Sequence, residues 1–161
     1  MMEIKHILVP IDFSECSRKA LRYAASLASK FGSELTLLHT IEPPVGLPPQ
    51  TLVRDEAGLS IPILDYVIQS ATKEMNPILN ELALAGLTAK SFIEVGDARD
   101  TILDHAARLN ADLIVMGTHG RTGLSRFLIG SIAENVVRRS NIPVLTVRAA
   151  DESRAQDASG S

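Results

Sequence analysis

Short apolar runs alternate along this chain with stretches in which apolar residues recur every three or four positions. His6-Ile7-Leu8-Val9-Pro10-Ile11 is the first such run, and it predicts a strand covered on both faces. Ser14 can cap the helix that follows, where Ala20, Leu21, Ala24, Leu27, Ala28 and Phe31 share a face. Gly32 stands where a left-handed residue is wanted to end it. Leu35-Thr36-Leu37-Leu38-His39-Thr40 reads as a second buried strand. The stretch from Glu42 to Ser60 carries Pro43, Pro44, Pro48 and Pro49, which forbid a regular helix, and an exposed loop is expected there.

Helical spacing returns with Leu64, Val67, Ile68, Ala71 and Met75 and continues through Ile78, Leu79 and Leu82 to Gly86. Pro77 lacks an amide donor, so a kink or break is expected at that point. Ala89 to Val95 alternates polar and apolar residues, as an edge strand does. Asp97 is placed to cap a helix carrying Ile102, Leu103, Ala106 and Leu109. Leu113-Ile114-Val115-Met116 predicts a fourth strand. Ser131-Ile132-Ala133-Glu134 matches the capping box S-x-x-E at the head of a helix ending near Arg138 and Arg139. Val144-Leu145-Thr146-Val147 completes five strands separated by helices. That order predicts an α/β fold, a parallel sheet with helices on both faces. With 161 residues the chain fits one domain, residues 1–148, and the polar tail 149–161 is expected to be disordered.

Composition narrows the function. A net charge of -3 gives no general attraction to nucleic acid or anionic lipid, so any phosphate recognition must be local. No apolar run approaches the ~20 residues that cross a bilayer, and no secretory signal is visible. Cys16 is the single cysteine, which excludes an intramolecular disulfide and fits a reducing, cytoplasmic setting. Near a helix start it reads as packing, since no histidine is placed by sequence to activate it.

In an open parallel sheet, ligands bind beyond the carboxyl ends of the strands. Two strand ends are specialised here. One is Val9-Pro10-Ile11-Asp12-Phe13-Ser14; the other runs from Met116-Gly117-Thr118-His119-Gly120-Arg121 to Gly130-Ser131. Gly117, Gly120, Gly130 and Ser131 form G-x2-G-x9-G-S, after a buried strand and before a helix. Glycines let main-chain amides approach an anion, and the positive end of a helix faces the same place. Ser131 can be phosphate ligand, N-cap or both. Asp12 can be a binding carboxylate or a helix-capping acid near Ser14. His119 can hydrogen-bond a ligand or brace the loop, bracing being the preferred reading. Arg121 and Arg126 could add charge-assisted phosphate contacts. His6, His39, His105 and His119 lack H-x3-H or H-E-x2-H spacing, so no protein-built zinc site is expected, and His39 reads as a satisfied core histidine.

This loop resembles the signature G-x2-G-x9-G-[S/T] of the universal stress protein family, in its ATP-binding branch. Ile7-Leu8-Val9-Pro10-Ile11-Asp12, Leu37-Leu38-His39 and Pro143-Val144-Leu145-Thr146-Val147 are similar to that family as well. The resemblance covers Ile4 to Arg148. It implies a Rossmann-like fold of the adenine nucleotide alpha hydrolase-like type, with strand order 3-2-1-4-5 and a homodimer through the fifth strand. It further implies ATP, with Mg or Mn held by its phosphates and water. Asp12 would take the ribose, with Pro10 and Ile11 lining that end, and Thr40 would lie at the adenine. Val95 and Gly96 would close the cleft, and Met116 would pack on the nucleoside. Gly117, Gly120, Gly130, Ser131 and Ile132 would hold the phosphates, with His119 and Arg121 beside them.

The implied role is regulatory, in stress response, because a phosphate cradle is present without an evident nucleophile or general base. A slow ATPase or nucleotidyl transferase is the enzymatic alternative, but related adenylate-forming folds carry S-G-G-x-D-S where this chain has Pro10-Ile11-Asp12-Phe13-Ser14. A nucleotide-independent dimeric interaction module is the third alternative.

Overall fold

The computed structural model describes residues 1, 3–120 and 128–149. In chain order its elements are β1 (His6–Pro10), α1 (Glu15–Phe31), β2 (Glu34–Ile41), β3 (Leu52–Arg54), β4 (Ser60–Pro62), α2 (Ile63–Leu84), β5 (Ala89–Val95), α3 (Ala98–Arg108), β6 (Leu113–Gly117), α4 (Ser131–Arg139) and β7 (Val144–Val147). β5, β2, β1, β6 and β7 form one sheet in that order, and every pairing in it is parallel. Counted without β3 and β4, that is the expected order 3-2-1-4-5, and β5 is an edge.

The period of two along each strand sorts the core into two layers. Ile7 and Val9 of β1, with Leu35 and Leu37 of β2, pack against Ala20 and Ala24 of α1 and Met75 and Ile78 of α2. Leu8, Leu38, Ile114 and Met116 point to the other face, against Ile102 and Ala106 of α3 and Ala133 and Val136 of α4. Helices therefore cover both faces, and the inner strands are apolar on both sides.

Ser14 caps α1 through its hydroxyl, which accepts from the Ser17 amide, and Gly32 closes the helix at φ 70°. Asp97 caps α3 as expected. Three local expectations need correction. The stretch from Glu42 to Ser60 is not wholly loop. β3 pairs antiparallel with β4, Val53 opposite Ile61, because the Asp55 carboxylate accepts the amides of Ala57 at 2.9 Å and Leu59 at 2.8 Å and so closes the turn. Pro77 makes no break, since α2 runs through it as one 22-residue helix; its buried face, with Met75, Ile78 and Leu82, outweighs one lost amide bond.

The third correction concerns α4. Its N-cap is Gly130, not Ser131, and among the described residues no side chain caps it. The first turn closes when the Glu134 amide donates to the Gly130 carbonyl at 3.0 Å, which places Ser131 inside the helix. Among the described residues no helix is long and apolar enough to cross a membrane. The expected tail lies outside the described residues beyond Ala149.

Candidate functional site

β1 lies between β2 and β6, so the chain leaves β1 toward one side of the sheet and leaves β6 toward the other. The loops after these two strands diverge and a cleft opens between them at their carboxyl ends.

The β1 side of the cleft is a tight turn. The Ile11 amide donates to Leu38 O at 2.8 Å, extending the strand pairing by one residue. Phe13 then adopts φ 64°, which costs a bulky residue of order 1–3 kcal/mol. Asp12, between them, accepts the Ser14 amide on Oδ1 at 3.0 Å, and the Ser14 hydroxyl donates to the same oxygen. Asp12 thus holds Ser14, the cap of α1, and does not cap the helix itself, and it also lines the cleft.

The β6 side is built by close approach. The Thr118 amide donates to Val147 O at 2.9 Å, and Thr118 O accepts the Gly130 amide at 2.7 Å. A β-carbon on Gly117 would stand 2.8 Å from Cys16 Sγ, and one on Gly120 would stand 2.9 Å from Asp12 Oδ2. One on Gly130 would stand 2.9 Å from Thr118 O. None of these three glycines is among those with positive φ. Main-chain atoms leave no room for a side chain at Gly117 and Gly130, whereas at Gly120 the Asp12 carboxylate would have to shift. Cys16 is buried, as its packing role predicts.

These loops enclose a cavity of about 490 Å³. Of the residues singled out from sequence, Pro10, Ile11, Asp12, Thr40, Met116, Gly117, His119, Gly120, Gly130, Ser131 and Ile132 line it. Val95 and Gly96 do not. They end the edge strand one position further out, where the Gly96 amide donates to Ile41 O at 3.0 Å. Arg121 and Arg126 lie outside the described residues.

Sequence reasoning missed Ile41, Glu42, Val67, Ala98, Ile102 and Thr118, which also line the cavity. Ile41 and Glu42 were within reach, since they follow a strand end. Val67 was not, because its place depends on how α2 crosses the sheet. His39 is satisfied as expected, Nδ1 lying 2.7 Å from Ile11 O, but it lines the cavity too. His119 Nδ1 lies 2.8 Å from Oγ1 of its neighbour Thr118, and its Nε2 is buried with no hydrogen-bond partner among the described residues.

Two helices begin at the cavity, and they differ. Ala98 at the head of α3 lines it, but the Asp97 carboxylate already takes the amides of Arg99 at 2.9 Å and Asp100 at 3.3 Å. The hydrogen bond from Arg99, above all, holds that carboxyl down at a pKa of about 2. Ser131, Ile132 and Ala133 at the head of α4 line the cavity with no side-chain cap among the described residues. The amides and the positive dipole end of α4 are therefore the anion-seeking feature of the cleft. No lysine or arginine lines the cavity among the described residues.

The model of the universal stress protein family matches residues 3–148. The chain belongs to that family. It is 33% identical over 153 residues to universal stress protein MJ0577 of Methanocaldococcus jannaschii, covering 89% of this chain and 94% of that one. The solved structure of MJ0577 superposes with a TM-score of 0.78 at 31% identity, over 94% of this chain and all of the other. Two more distant structures of universal stress proteins share the fold. One, in complex with cAMP, has a TM-score of 0.65 at 22% identity over 92% of this chain and 100% of that one. The other, from Archaeoglobus fulgidus in complex with dAMP, has a TM-score of 0.62 at 21% identity over 91% and 99%.

Proposed function

We propose that this universal stress protein binds ATP in the cleft between the β1 and β6 loops and acts as a nucleotide-dependent regulatory protein of the cytoplasm. The observation that carries the reading is the uncapped head of α4, opening on a 490 Å³ cavity across from the Asp12 carboxylate. That volume suits a nucleotide-sized ligand. Phosphates take the amides of Ser131 and Ile132, where a helix dipole favours negative charge, the Gly130 amide being held by Thr118 O. The ribose hydroxyls donate to Asp12, and the base lies beyond, toward Thr40 and Met116. Mg or Mn, when bound with the nucleotide, supplies charge neutralisation through phosphate oxygens. Proteins of the same fold hold cAMP and dAMP, which supports an adenylate as the class of ligand.

β7 ends the sheet with Leu145 38% exposed, and an unpaired apolar edge favours a homodimer through that strand. Calorimetric titration of the folded protein with ATP, with and without Mg or Mn, tests the reading. A saturable signal is expected; its absence overturns the proposal.

A further inference from the structure

We infer that His39 is the positioning residue that sets Asp12 for the ligand's sugar, by holding the chain on either side of it; the inference rests on the nucleotide reading above. His39 lies near the end of β2, one strand away from Asp12. Its Nδ1 is 2.7 Å from Ile11 O. A carbonyl oxygen only accepts, so Nδ1 carries the proton. The same imidazole packs on Phe13, ring centroids 4.6 Å apart and planes tilted by 39°. One side chain thus grips the residue before Asp12 and the residue after it.

The turn needs such a grip. Phe13 sits at φ 64°, a conformation that a bulky residue keeps only where its surroundings impose it. The bonds from Ser14 to the Asp12 carboxylate span two residues and move with the turn, while two longer ones, from the Asp12 amide to Ser17 Oγ and from Arg18 Nε to Phe13 O, both 3.4 Å, tie it to α1. The Leu38 carbonyl fixes the Ile11 amide, and His39 fixes the Ile11 carbonyl. With both main-chain groups of Ile11 tied to β2, Asp12 is delivered to the cleft, its Oδ2 facing Gly120. A histidine that served only the core would affect all ligands alike.

The test compares ATP with 2′,3′-dideoxy-ATP by calorimetry on wild type, His39→Asn and His39→Gln. Asn places an N–H near the position of Nδ1, whereas Gln places it near Nε2. Wild type should prefer ATP by about ten-fold or more, the worth of a hydrogen bond to a charged group. His39→Asn should keep most of that preference. His39→Gln should bind ATP no better than the dideoxy analogue, the ratio of the two affinities being the readout because His39 also lines the cavity. Equal weakening of both ligands in His39→Gln, an intact preference in that variant, or no preference in wild type overturns the proposal. Should His39→Gln fail to fold, His39→Phe, which keeps a ring against Phe13 and drops the donor, takes its place with the same expectations. A second readout needs no ligand: exchange of the Ile11 amide, which donates to Leu38 O beside the His39 contact, should be faster in His39→Gln than in His39→Asn. If wild type binds neither nucleotide while exchange follows that order, the ATP reading fails and the positioning of Asp12 stands. Equal exchange in the two variants overturns the positioning.

Discussion

Cys16 Sγ stands 2.8 Å from the place a β-carbon on Gly117 would occupy, and the Cys16 main chain is nearly as close, with C at 3.1 Å and O at 3.2 Å. The first turn of α1 therefore lies directly on the end of β6. Gly117→Ala should overpack this contact and destabilise the fold by ~1–3 kcal/mol. A lowered urea midpoint is the readout. Gly120 is exposed, and among the described residues a side chain there meets just the tip of Asp12 at 2.9 Å. Gly120→Ala should change stability by no more than ~0.5 kcal/mol yet weaken ATP binding. The two glycines of one motif thus have opposite signatures, and a fall in stability for Gly120→Ala matching that of Gly117→Ala would refute the distinction.

Gly130 donates its amide to Thr118 O at 2.7 Å, and a β-carbon would come within 2.9 Å of the same oxygen. Gly130→Val should push the head of α4 away from the β6 loop and reduce ATP affinity at least ~10-fold. β7 is not part of this contact, so the dimer should survive. Calorimetry and light scattering on the same preparation check both halves; loss of the dimer would mean that the loop supports the whole β6–β7 edge.

Asp97 ties acid stability to the head of α3. Its folded pKa of about 2 lies below the ordinary value of 3.8, chiefly because Arg99 hydrogen-bonds the carboxylate. The ionised form is thus favoured in the folded state, and the contribution is present above pH 3.8 and lost as pH falls toward about 2. Asn can still cap a helix but cannot ionise. Asp97→Asn should therefore be less stable than wild type above that window, with the difference shrinking as pH falls through it. Denaturation midpoints followed across the window give the answer.

β7 offers an open edge beside the exposed Leu145. Leu145→Lys places a charge on that edge, the device by which sheets avoid pairing with another chain. The variant should be a monomer by light scattering at concentrations where wild type is a dimer, with each chain still binding ATP. A wild-type monomer would remove the dimer from the proposal.

Much of the fold was legible because buried parallel strands and amphipathic helices have different periods. Ile7 to Val9, Leu35 to Leu38 and Ile114 to Met116 are strand-like whatever surrounds them, and Ser14, Gly32 and Asp97 punctuate the helices by local chemistry. The turn at Asp55 was hidden by the prolines around it. Pro77 misled because local backbone preference is a smaller quantity than the apolar face of a 22-residue helix.

The candidate site divides in the same way. Its glycine spacing and Asp12 lie in the sequence, since a close main-chain approach demands glycine wherever the chain is then folded. Tertiary structure alone decided which contact demands each glycine, because Cys16, Asp12 and Thr118 are brought there by three different elements. It alone decided that α4 begins uncapped while α3 does not, although both helices are preceded by plausible caps in sequence. It alone brought Val67 to the cavity and His39 to the Ile11 carbonyl, 28 residues away along the chain. Sequence determines what each segment can do locally; which groups meet across the cleft depends on how layers cross, a property that no window of neighbouring residues contains.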